Sequence, residues 1–259
     1  MIGDYKMIRS TIGRPQRLFR EFYAANVVKS VHVEAAYGGQ DAVEETAWLD
    51  MVAREFGFPN ALVVCSDLRA PSVEAELLRH LEASPLTRGV RPRPAPDDTA
   101  DKRFLAGVRS LRKLGLSYEL NASPGGLSSG RELAAAFPDT PIIVGHAGLP
   151  LQRDPAYFAH WKDEMATLAA LPNLACKISG LGMIDHDWTI ESTRPWILHC
   201  IDIFGPERIM FGTNWPVDIL FATYLEQTDA YRTILAAAGF SQSEQEAMLG
   251  RNAERFYGI

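Results

Sequence analysis

The stretch LSYELNASPGGLSSGRELAAAFPDTPIIVGH, residues 116–146, contains a strand, a helix and a second strand in succession. LSYELNA (116–122) and PIIVGH (141–146) are short and rich in Leu, Ile, Val or aromatic residues, as strands are. Residues 128–137 between them read as a helix. Two strands joined through a helix run parallel, because the crossover returns the chain to the same end of the sheet. The unit recurs in both directions. Upstream lie NVVKSVHVEA (26–35), NALVVCSDL (60–68) and TRGVRP (87–92); downstream lie NLACKIS (173–179) and RIMFGTN (208–214). Helical patterns fill the gaps. In 41–56 the apolar positions Val43, Ala47, Trp48, Met51, Val52 and Phe56 recur at helical spacing, with Asp41 as N-cap and Glu44 at its third position. Ser72 is the expected cap of a helix over 72–83, and Gly115 the expected stop of one over 101–114. Further helices are expected over 155–171, 190–204 and 221–238, with a short terminal one from about 243.

The repeat predicts a parallel α/β sheet with helices outside it, in a single domain over 1–259. A (β/α)8 barrel needs eight strands, and the chain supplies seven βα units over 26–259 plus a C-terminal helix. Residues 1–25 read as a loop and a helix, the elements that a barrel places directly after its first strand. The expected architecture is therefore a TIM-type barrel that lacks its first N-terminal strand. An open barrel of this kind exposes two sheet edges, which favours a homo-oligomer.

Composition narrows the function. Against 26 Lys+Arg stand 32 Asp+Glu, a net charge of −6, which argues against non-specific nucleic-acid binding. No apolar run reaches the roughly 18–20 residues of a membrane helix, and MIGDYKMIRS has no secretion-signal core. Three cysteines (Cys65, Cys176, Cys200) suit a reducing, cytoplasmic compartment and read as apolar fillers. No phosphate-binding glycine loop and no GxSxG elbow is present.

Barrel chemistry sits at the carboxyl ends of strands. Alternation puts Val31 and Val33 on one face of the first run and His32 and Glu34 on the other. The expectation is that the valines meet the helices while His32 and Glu34 face the interior; for His32 alone, a structural role stays open. Arg91 ends its strand, where its forked donor suits a carboxylate, or else a loop ion pair. Glu119 is expected inside, holding Arg91. His146 closes PIIVGH and is the strongest candidate for function. Lys177 shares a face with Ala175 and Ser179; a lysine inside a barrel needs a partner, and can polarise a carbonyl or bind an anion. In FGTNWPVD, Asn214 and Trp215 reach the mouth and Asp218 lies four residues on. The remaining histidines (His80, His160, His186, His199) read as solvated or capping.

HVEA (32–35), GHAGLP (145–150), KISGLG (177–182), FGTNWPVD (211–218) and the closing GRNAERFYG together resemble the amidohydrolase-2 branch of the amidohydrolase superfamily. Within it they look most like the TIM-barrel hydrolases that include 2-pyrone-4,6-dicarboxylate lactonase, sulfomuconolactone hydrolases and sugar lactonases. The resemblance implies a hydrolase that opens a lactone of sugar-acid or aromatic-acid breakdown, one bearing a carboxylate. The alternatives are a metal-dependent decarboxylase of the same superfamily, or an inactive binding remnant. Metal-dependent members hold a divalent ion with a His-x-His pair on the first strand, a later histidine and an Asp on the last strand. Here His146 matches the later histidine, Asn214 stands where the Asp is usual, and nothing matches the pair. The resemblance thus implies no metal, zinc being an option only with an upstream strand. It gives His146 and Asn214 to catalysis; the strand-face reading adds His32, with Asp218 or Glu34 as the general base. Arg91, Lys177, Glu34 and Trp215 would bind substrate.

Overall fold

The computed structural model describes residues 15–35, 41–93 and 101–259. Within them, seven strands form one parallel sheet in chain order. They are β1 (Val31–Val33), β2 (Ala61–Ser66), β3 (Thr87–Pro92), β4 (Ser117–Leu120), β5 (Ile142–Val144), β6 (Leu174–Ile178) and β7 (Ile209–Phe211). Helices α1 (Pro15–Ala24), α2 (Ala42–Phe56), α3 (Val73–Ala83), α4 (Lys102–Leu114), α5 (Leu127–Ala136), α6 (Pro155–Ala169), α7 (Ile190–Phe204) and α8 (Tyr224–Ala237) alternate with them. Short helices α9 (Gln242–Glu246) and α10 (Asn252–Tyr257) come last, joined by a π-turn. The sheet curls into a half-barrel. Among the described residues its edges, β1 and β7, do not pair with each other.

Local chemistry sets most boundaries. The Asp41 carboxylate accepts from the Val43 N–H at 3.0 Å and starts α2. Gly115 ends α4 in the left-handed region at φ 68°, which a side chain disfavours. Ser72 is a correction: its side chain makes no capping bond to α3. The strands are shorter than the apolar runs containing them. The run 26–35 yields only three paired residues, Val31–Val33 lying against Ala61–Val63, and among the described residues β1 has a partner on one side alone. The expected N-terminal loop and the RPRPAPDD loop fall partly on residues 1–14 and 94–100, outside those described.

Side chains alternate across the sheet as its pleat requires. Leu62, Val64, Tyr118, Leu120, Ile142, Val144, Leu174, Cys176, Ile178 and Ile209 face the helices and form the main core with residues such as Phe104, Leu111, Trp161 and Met165. Each such fully buried side chain contributes about 1.5–3 kcal/mol. The intervening Ala61, Val63, Ile143, Ala175 and Met210 face inward and pack around Tyr257 of α10.

Val31 and Val33 belong to that inner cluster, so β1 has the opposite polarity to the one its residues suggest. His32 turns outward, its Nε2 lying 2.9 Å from the carboxylate of Glu45 on α2. The physical reason is that Tyr257, Phe256 and Ile259 line the interior beside β1 with apolar surface, while the helix layer offers a buried acid. His80 is a further correction. It is buried, not solvated, with Nδ1 2.7 Å from the Thr46 hydroxyl.

Candidate active site

The chain leaves β5 through a left-handed turn. His146 and Ala147 both adopt φ 52°, ψ 37°, and Gly148 comes next at φ 68°. Residues with a Cβ occupy this region at a cost of about 1–2 kcal/mol each, so surrounding contacts must hold the turn. The buried indole of Trp161 donates to the Ala147 carbonyl at 2.9 Å. The Leu149 N–H donates to the His146 carbonyl at 2.8 Å. A Cβ on Gly148 would be strained at φ 68° and would lie 2.6 Å from the Met165 sulfur, which would have to move.

The turn aims the His146 ring across the barrel mouth. Its Nδ1 lies 3.0 Å from the Ser179 hydroxyl. Burial, with Lys177 and Arg91 nearby, pushes its pKa down to about 3, so the imidazole is neutral. Beside it, Gly180 has φ 66°, and a Cβ there would sit 2.7 Å from His146 Nδ1 and 3.4 Å from Asn214 Nδ2. Glycine is what lets histidine and asparagine approach each other.

Lys177 points inward and donates to Glu119 Oε2 at 2.7 Å. The other Glu119 oxygen accepts from the Tyr257 hydroxyl. This corrects the expected Glu119–Arg91 pair. Arg91 instead donates from Nε to Glu34 Oε1 at 2.5 Å, and Arg93 reaches the same oxygen at 2.6 Å. The two arginines converge on Glu34 because its carboxylate is buried at the β1 end, whereas Glu119 already has two donors. With Arg91, Arg93 and Lys177 against Glu34 and Glu119, these five side chains carry one net positive charge.

After β7, Asn214 is also left-handed at φ 52°. Its Nδ2 donates to Asp218 Oδ1 at 2.7 Å, and Gln227 Nε2 on α8 donates to Asp218 Oδ2 at 3.0 Å. Burial raises the Asp218 pKa to about 6, although both amide bonds pull it down. The Trp215 ring packs edge-on against Tyr224, with centroids 5.7 Å apart.

A cavity of about 570 Å3 opens between β1 and β7 and runs along the half-barrel interior. His146, Lys177, Ser179, Asn214, Trp215 and Arg91 line it, with Glu34 and His32 towards β1. The structure therefore brings seven of the eight residues singled out above to the wall of one cavity, with the His32 ring engaged by Glu45. Asp218 is the exception: it lies behind Asn214 with both oxygens bonded, which leaves it no direct reach to a molecule in the cavity. Sequence reading overlooked Ser179 as a partner of His146, although its shared face with Lys177 was the available signal. Gln227 and Tyr257 had none, since they arrive from helices remote in sequence.

The Amidohydrolase family model matches residues 13–259. An uncharacterized protein, y4mH, of Sinorhizobium fredii is 36% identical over 99% of this chain and 89% of its own length. An L-fucono-1,5-lactonase of Burkholderia multivorans is 30% identical over 99% of this chain and 92% of its own. An amidohydrolase structure from Burkholderia multivorans with bound zinc superposes at a TM-score of 0.84, with 28% identity, over 95% of this chain and 88% of that one. Among the described residues, no three His, Cys, Asp or Glu side chains gather to hold a metal. The cations beside His146 are unfavourable to a further one. The described side chains thus do not fit a divalent ion. With its motifs at the strand ends, its parallel half-barrel and these similarities over nearly its whole length, the chain belongs to the amidohydrolase family of hydrolytic enzymes.

Proposed function

We propose that this chain hydrolyses the lactone of a sugar acid or aromatic acid. The observation that carries the reading is a neutral His146 held beside the Lys177 ammonium in one cavity. When water adds to a lactone carbonyl, negative charge develops on the carbonyl oxygen. In this reading the Ser179 hydroxyl, 3.0 Å from Nδ1, donates to it, so that the ring proton of His146 sits on Nε2 and can donate to that oxygen, while Lys177 adds positive charge. Donors fixed in advance at such a position stabilise the transition state without reorganisation. The tetrahedral intermediate then collapses, the ring C–O bond breaks, and the departing alkoxide takes the proton released by the attacking water. The product is a hydroxy acid, which releases the second water-derived proton to solvent and leaves as the hydroxy-carboxylate. The surplus positive charge of the Arg91, Arg93 and Lys177 group suits that anion, and also a substrate that already carries a carboxylate.

The names of the relatives support a lactone, and a cavity that sets a few charged and amide side chains in a largely apolar wall supports a small molecule. Under the same reading the seven strands among the described residues are those of a TIM-type barrel, and the enzyme is cytoplasmic. The three unpaired cysteines are what a reducing compartment favours. The test is a pH-indicator assay with L-fucono-1,5-lactone, L-rhamnono-γ-lactone and 2-pyrone-4,6-dicarboxylate. At least one should open, and His146→Ala should lower kcat on it by about 10²-fold or more. Turnover of none of them, or full turnover by His146→Ala, would overturn the proposal.

A further inference from the structure

The hydrogen bonds behind Asn214 determine which end of its amide meets the cavity. An ionised carboxylate only accepts hydrogen bonds. The amide atom 2.7 Å from Asp218 Oδ1 is therefore the nitrogen, and the same reasoning makes the Gln227 atom 3.0 Å from Oδ2 a nitrogen. Asp218 is buried and fully engaged by these two donors. With Nδ2 spent on Asp218, the Asn214 oxygen is turned the other way. It makes no hydrogen bond among the described residues and is not one of the sealed, unpartnered buried atoms, which leaves it able to accept from a molecule in the cavity that Asn214 lines. The backbone is held as well: the Val217 and Asp218 N–H groups both donate to the Asn214 carbonyl, at 2.8 and 3.3 Å.

We infer that Asp218 and Gln227 are positioning residues that lock the Asn214 amide with its oxygen towards the cavity, where it accepts a hydrogen bond from the attacking water. Donor and acceptor then stand side by side. His146 Nε2–H meets the carbonyl oxygen, and Asn214 Oδ1 turns a water lone pair towards the carbonyl carbon. Asparagine takes no proton in this arrangement; it orients. The water's role rests on the hydrolase reading above, whereas the lock rests on hydrogen bonds alone.

The lock depends on the charge of Asp218. Once protonated, its carboxyl can donate to Asn214 Oδ1, the amide can turn over, and the cavity then meets an N–H where the water needs an acceptor. Among the described residues, Tyr231 of α8 feels the charge of Asp218, and both it and the neighbouring Tyr224 are pushed up by burial and neutral throughout this range. The 3-10 turn Val217–Leu220 adds no other ionisable side chain.

Two measurements on the intact protein test this. In a kcat–pH profile, the rate should fall on the acid side near the Asp218 pKa, with KM changing less. Gln227→Leu removes one bond that holds this carboxyl down, so the acid limb should move up by roughly half a pH unit or more. A merely structural role for Gln227 would lower stability and leave the limb in place, and that result overturns the inference. The second measurement needs no substrate. In NMR titrations, the side-chain amide signals of Asn214 and Gln227 should shift together with one midpoint near the Asp218 pKa of about 6, and Asp218→Asn should abolish the joint transition. Independent or absent titration overturns the lock. A joint titration with no lactone turned over leaves the lock standing and refutes the hydrolase reading instead.

Discussion

Replacing Lys177 with methionine should destabilise this protein far more than its partial contact with solvent suggests. The Lys177 side chain is 14% exposed, while its partner Glu119 is 2% exposed. Removing one member of a buried ion pair leaves the other charged and uncompensated, at a cost of about 3–5 kcal/mol. The Tyr257 hydroxyl still donates to Glu119 in the variant, which places the expected loss near the lower end, about 3 kcal/mol. For a chain of this size that corresponds to a fall in Tm of about 6–12 °C. Urea and thermal unfolding, tracked by far-UV circular dichroism, would measure it. Lys177→Met/Glu119→Gln should recover a large part of the loss. The neutral amide still accepts from Tyr257, and no charge is left buried without a partner. The coupling energy of the cycle should fall within the roughly 0.5–3 kcal/mol seen for contacting residues. A loss below about 1 kcal/mol for Lys177→Met, or a double variant as unstable as the two single changes summed, would refute the view that these residues form one buried unit.

Gly180→Ala should both destabilise the fold and disable the site. The new Cβ would enter a left-handed backbone and lie 2.6 Å from Met183 Cε and 2.7 Å from His146 Nδ1. A loss of about 1–3 kcal/mol is expected, with kcat reduced more than KM raised, read from denaturation and steady-state assays on one preparation. Acid should act through His146. Its folded pKa of about 3 lies below the ordinary 6.5, so its contribution to stability is complete above pH 6.5 and declines as pH falls towards 3. His146→Asn should accordingly be less acid-sensitive than the parent in that window; equal sensitivity would mean that the ring is not buried as described.

Much of the fold was legible from the chain because it is written in local terms. Alternating apolar runs and helical stripes recur in order, and the observed helices begin and end within about three residues of their patterns. Asp41 and Gly115 act as their residue types require. Reading failed where the deciding contact was remote. The polarity of β1 depends on Tyr257, more than two hundred residues away, and on Glu45 in a neighbouring helix. No local rule says which face of VHVE meets them. The partners of Arg91 and Glu119 were exchanged for the same reason. Charged residues at a barrel mouth have several candidates within reach, and geometry alone selects among them.

The order of residues along the chain was enough to establish the parallel α/β organisation, the family, and the placement of His146, Lys177 and Asn214 at the ends of strands. Those properties depend on period, composition and motif, each spanning a few residues. It took the folded arrangement to establish that His146 is neutral, that Lys177 is paired with a Glu119 shared with Tyr257, and that Asp218 sits behind Asn214, away from the cavity. These properties depend on burial and on the charges that surround a group. Both are set by segments that meet only when the sheet curls and the C-terminal helix packs against its interior.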